Sequence, residues 1–120
     1  MTESLSEIVQ RQSIKAFQSV IRKSKNALQN MVEKGANTSV IEKRLHAFIV
    51  SLDILEHTWN GKEDQHYDSL EISEVRQVIL NLLPSIERMM GKSATGTPQY
   101  TLLERRIRAF QLAVQAMEQK

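Results

Sequence analysis

The chain has 120 residues, 41% of them apolar and 25% charged, with a net charge of +2 and no cysteine. That is enough for one domain with its own core, and it excludes disulfides, thiolate chemistry and the common cysteine zinc sites. The charge is unevenly spread, +4 over residues 1–52, −6 over 53–74 and +4 over 75–120, so a negative belt lies between two positive ends.

Helical periodicity dominates from the start. Ile14, Phe17, Ile21, Leu28 and Met31 recur in steps of three and four with Ser24 in the gap, and Ala16, Val20 and Ala27 widen the stripe into a core-facing surface. This spacing predicts a first helix from near Ser4 or Ser6 to Gly35, where Lys34-Gly35 is a C-terminal stop signal. A second helix is expected after Asn37-Thr38, with Ser39 and Glu42 as a capping box and Ile41, Leu45, Phe48, Leu52 and Leu55 on its core face. Turn chemistry takes over in TWNGKEDQHYDS, residues 58–69, sharpest at Asn60-Gly61.

The third helix is expected to start between Asp68 and Ser73, to bury Ile72, Val75, Val78, Ile79, Leu82, Ile86 and Met89, and to end at Gly91. Pro84 lies inside it; a proline removes a backbone donor and crowds the carbonyl of Leu80, so a kink or restart is expected. After the loop GKSATGTPQY, Thr101 and Glu104 predict a second capping box, opening a fourth helix that buries Leu103, Ile107, Phe110, Val114 and Met117.

The second and fourth helices echo each other. Residues 39–56 align with 101–118 at a shift of 62, with Glu42/Glu104, Arg44/Arg106, Ala47/Ala109, Phe48/Phe110 and Glu56/Glu118 identical. The first and third align at a shift of 58, pairing Ile14/Ile72, Val20/Val78, Ile21/Ile79, Leu28/Ile86 and Met31/Met89. The expected fold is therefore all-α: a four-helix bundle built from a tandem-duplicated helical hairpin. It forms one domain over residues 1–120, with hairpin 1 at 4–57, an acidic turn at 58–68 and hairpin 2 at 69–119. The two hairpins could also pack face to face across a pseudo-twofold axis.

The halves differ along one line. On the first helix Arg11, Lys15, Gln18, Arg22, Lys25 and Gln29 lie opposite the apolar stripe. Shifted by 58, that line reads Ser69, Ser73, Arg76, Leu80, Leu83 and Glu87, two cations having become leucines. A helix apolar almost all round is central or has a second surface to cover. Either the N-terminal segment with Leu5, Ile8 and Val9, or a loop, folds over Leu80 and Leu83, or these leucines with Arg76 and Glu87 dock a partner helix or a second copy of the chain. The alternative surface is the basic line itself. Arg11, Lys15, Arg22 and Lys25, with Arg105, Arg106 and Arg108 as possible additions, suit a nucleic-acid phosphate backbone. The six aromatics, however, are not interleaved with them as a stacking platform.

Catalytic and metal signatures are missing. His57 and His66 near Glu56, Asp64 and Asp68 have no fixed ligand spacing and suit a solvated acidic turn; His46 has no evident acid or base partner. GKSATGTP reverses the order of a phosphate-binding loop, and no nucleophile elbow occurs. No enzyme, cofactor or metal is expected. Nothing approaches about eighteen consecutive apolar residues, and the opening MTESLSEIVQRQ lacks a basic stretch before an apolar run. Neither a membrane nor a secretory signal is expected, and a cysteine-free chain suits the cytoplasm.

Trp59-Asn60-Gly61, followed by Tyr67 eight residues after the tryptophan, resembles the turn of the small secreted helical-hairpin proteins of the WXG type. The resemblance implies a secreted two-arm hairpin; Gly35 and Gly91 depart from its unbroken arms. The expected role is protein–protein interaction, as an adaptor, inhibitor or regulatory subunit.

Overall fold

In a computed structural model, described over residues 2–63 and 65–119 with the side chains of 2–6 excepted, the chain forms four helices. They are α1 (Thr2–Glu33), α2 (Ser39–Asn60), α3 (Ser69–Lys92) and α4 (Pro98–Glu118). The protein is all-α, and its inter-helix contacts fit a bundle.

Each end has a local cause. α1 stops as expected at Lys34-Gly35: Gly35 sits at φ +69°, and the Ala36 amide donates to the Met31 carbonyl at 2.9 Å. α2 ends the same way, with Gly61 at φ +71° and the Lys62 amide on the Glu56 carbonyl at 3.3 Å. Asp68 caps α3, its carboxylate accepting from the Glu71 amide at 2.8 Å.

Neither expected capping box forms. The cap of α2 is Thr38, one residue before Ser39, and its hydroxyl donates to the Glu42 carboxylate at 2.7 Å while Asn37 Oδ1 accepts from the Ser39 amide. α4 opens a full turn before Thr101: Thr97 accepts from the Tyr100 amide at 3.2 Å, and Pro98 takes the first helical position, where its missing N–H costs nothing. Gly91 lies inside α3, which continues to Lys92, and the helix runs through Pro84 without a restart.

The core gathers on Phe110 of α4, stacked on Phe17 at 5.2 Å between centroids and tilted against Phe48 at 5.6 Å. All five residues expected inside α4 are buried, together with Ala109 and Ala113. In α3, Val75, Ile79 and Ile86 are buried, Ile72, Val78 and Leu82 are half-buried, and Met89 is 44% exposed, against expectation. In α2 the buried set is Ala47, Phe48, Val50, Ser51, Ile54 and Leu55. Ile41, Leu45 and Leu52, expected on the core face, are only half-buried.

α2 and α4 each touch all three other helices, whereas no Cα of α1 comes within 8 Å of α3. The Cα extents are 52 × 41 × 20 Å. An aligned bundle with axes about 10 Å apart would measure roughly 20 Å in both short directions, so the four rods do not all follow one axis.

Candidate functional site

The α3 line lies at a helix seam. Arg76 donates from Nη2 to Glu118 of α4 at 3.3 Å. Leu80, Leu83 and Glu87 follow Arg76 at steps of four, three and four, so the line borders α4. Leu80 and Leu83 are half-buried and pack against the core, while Glu87 is exposed. Ile8, one of the residues expected over the two leucines, instead lines a cleft between α1 and α4, and no Cα of α1 comes within 8 Å of α3. The Leu5 side chain lies outside the described residues. Beside Arg76 a groove of about 590 Å³ opens, bordered by Tyr67, Ile72, Ser73, Met117 and Glu118. The Arg76 Nε inside this seam is buried without a hydrogen-bond partner.

On α1 the basic line is fully presented: Arg11, Lys15, Arg22 and Lys25 are all exposed. Of the three α4 arginines, Arg105 joins it, lining a cleft of about 350 Å³ with Arg11 and Lys15. Arg108 is exposed and lines neither this cleft nor the next. Arg106 does not extend the basic line. It enters a different cleft of about 270 Å³, whose other cations are Lys23 of α1 and Arg44 of α2 and whose walls include Phe48, Leu82 and Met89. Its Nε and Nη2 are buried without a hydrogen-bond partner, and burial lowers the guanidinium pKa.

The acidic belt is knitted to the end of α2. Asp53 accepts from Lys62 Nζ at 2.6 Å and from the Tyr67 hydroxyl at 2.7 Å. Burial pushes the Asp53 carboxyl up, but these two hydrogen bonds and the Lys62 charge outweigh it and hold the group below its usual range. Tyr67 is raised by burial and by the Asp53 carboxylate. His57 Nδ1 donates to the Lys62 carbonyl at 2.6 Å. His66 sits at φ +54°, and Asp64 lies outside the described residues. Trp59 is half-buried against the core, two residues before the Gly61 stop. His46 does have an acid partner, contrary to the sequence reading: Nε2 lies 2.8 Å from the Glu71 carboxylate. The two are 25 residues apart, and only the packing of α2 on α3 brings them together.

Sequence reasoning missed the pairing of Arg44 with Arg106, though the signal was present. The two are identical when residues 39–56 are aligned with 101–118, as are Phe48 and Phe110, which line the same cleft. Among the described residues, no helix is long and apolar enough to cross a membrane. Compared with protein-family models, curated proteins and solved structures, the chain matches none.

Proposed function

We propose that the chain is a non-catalytic protein-interaction module, one helical domain over residues 1–120, working in the reducing cytoplasm. It docks a partner helix or a second copy along the α3–α4 seam. The groove beside Arg76 carries this reading. Ile72 and Met117 offer it apolar surface, Leu80 and Leu83 extend that surface along the helix, and an unpaired buried guanidinium nitrogen waits for an acceptor.

The module reads as a duplicated hairpin. Five identities at one register support this, as does the neighbour pattern: exchanging α1 with α3 and α2 with α4 leaves unchanged which helices touch. The caps Thr38 and Thr97 are 59 apart rather than 62, so the α4 copy begins earlier than its counterpart.

The test is positional. A photo-crosslinking residue replacing Ser73, at the groove, is expected to give a discrete adduct with a partner or a second copy, and one replacing the exposed Gln111 is not. Leu80→Asn with Leu83→Asn should remove the adduct while far-UV circular dichroism stays helical; loss of helicity instead assigns the two leucines, which pack against the core, to the fold and not to docking. Identical adducts from both positions, or none with the chain monomeric in sedimentation equilibrium, dispose of the seam.

A second reading has its own observation, the exposed α1 line continued by Arg105. Four phosphate contacts would give a salt slope of about −3.6, a loss of roughly 150-fold in duplex affinity between about 50 and 200 mM salt. Arg22→Glu with Lys25→Glu should roughly halve that slope. A response flat in salt removes this reading.

A further inference from the structure

We propose that the cleft around Arg106 is a carboxylate pocket, which takes an acidic side chain next to an apolar one from a partner protein. This rests on the interaction-module reading but uses a different surface from the α3–α4 seam.

Charge is the first argument. Three cations from three helices, Lys23, Arg44 and Arg106, line the cleft, and no carboxylate among the described residues does. Hydrogen bonding is the second. Buried polar atoms in native proteins are nearly always paired, and an exception calls for an explanation. Arg106 leaves two guanidinium nitrogens buried and unpaired in this cleft. A carboxylate is the acceptor whose two oxygens match the guanidinium fork, and Arg44 offers a second fork from α2.

Size and lining narrow the ligand. At about 270 Å³ the cleft falls just below the usual range of small-molecule pockets, roughly 300–1,000 Å³, so it suits one or two side chains rather than a whole cofactor. Phe48, Leu82 and Met89 offer an apolar wall, which a strongly hydrated free phosphate would not use. Met89, half-exposed at the rim, adapts its shape to an incoming aliphatic group. The occupant is therefore a glutamate or aspartate flanked by a large aliphatic residue.

The experiment titrates the full-length ¹⁵N-labelled chain with the capped peptide acetyl-Leu-Glu-Leu-amide, its Gln counterpart and sodium octanoate. The Glu peptide is expected to shift the Arg106 Nε–H and the resonances of Leu82 and Met89. The Gln peptide should bind at least about tenfold more weakly, since it forfeits a charge-assisted hydrogen bond. Arg106→Gln should reduce the Glu peptide to the level of the Gln peptide, and Arg106→Lys should restore part of the difference. Arg44→Gln, at an exposed position, gives a second variant whose folding is not in question. Equal binding of the two peptides, or no change on removing either arginine, overturns the pocket. Binding by octanoate alone also overturns it, assigning the cleft to a free amphiphilic acid. Crosslinking from Ser73 is untouched by any of these outcomes, so pocket and seam fail separately.

Discussion

Asp53, Lys62 and Tyr67 form a small network whose pH dependence follows from one sign. A carboxyl held below its unfolded value, near 3.8, contributes stability that is complete above that pH and is lost as pH falls through the lower folded value. Tyr67→Phe removes one hydrogen bond to a charged group and is expected to cost about 1 kcal/mol at neutral pH, since partial exposure trims the full value. The deficit should shrink as pH falls through the lowered folded value of Asp53; urea unfolding at pH 7 and at a series of pH values below 3.8 checks it. Arg106 makes the opposite case. Its unpaired nitrogens are a standing cost in the free chain, so Arg106→Met is expected to stabilise by about 1 kcal/mol, read as a higher melting temperature. Neither behaviour follows from sequence. Asp53 and Tyr67 lie 14 positions apart, with a helix end between them.

Among the elements, both capping-box motifs are in the sequence and neither is used. Competition explains the miss. Pro98 cannot continue a loop hydrogen bond but suits a first helical position, so it draws the start of α4 back to Thr97. Asn37 takes the Ser39 amide before Ser39 can act as a cap. Thr97→Ala is therefore expected to cost about 1 kcal/mol, whereas Ser39→Ala should stay within about 0.5 kcal/mol; chemical denaturation separates the two. The glycine stop at Gly35 was legible, because only a residue tolerant of positive φ closes a helix that way, whereas α2 runs on through residues 58–60, where a turn was expected, before Gly61 ends it.

At the level of the whole molecule, Phe110 joins α4 to both helices of the first hairpin through Phe17 and Phe48. Phe110→Ala is expected to cost about 3–5 kcal/mol, a large part of the stability of a domain this size. Unfolding should remain a single transition, with all four helices lost together in circular dichroism and fluorescence. A first hairpin surviving alone would show that the aromatic cluster does not couple the halves. The flat shape of 52 × 41 × 20 Å belongs to the same arrangement: α2 and α4 meet in the middle, while α1 and α3 stay apart.

The sequence by itself determined the helices, their number and the buried stripe of α4, because a period of 3.6 residues is a local property; the stripes expected for α2 and α3 were only partly right. It also carried the exposed basic line on α1, opposite the apolar stripe of that helix. Which helices became central was decided only in three dimensions. α2 buries Val50 and Ile54, outside its expected stripe, and packs against all three other helices; the same packing pairs His46 with Glu71 and places Arg44 and Arg106 on one cleft. Such pairings join residues 25 to 62 positions apart, and no local pattern encodes a partner that distant.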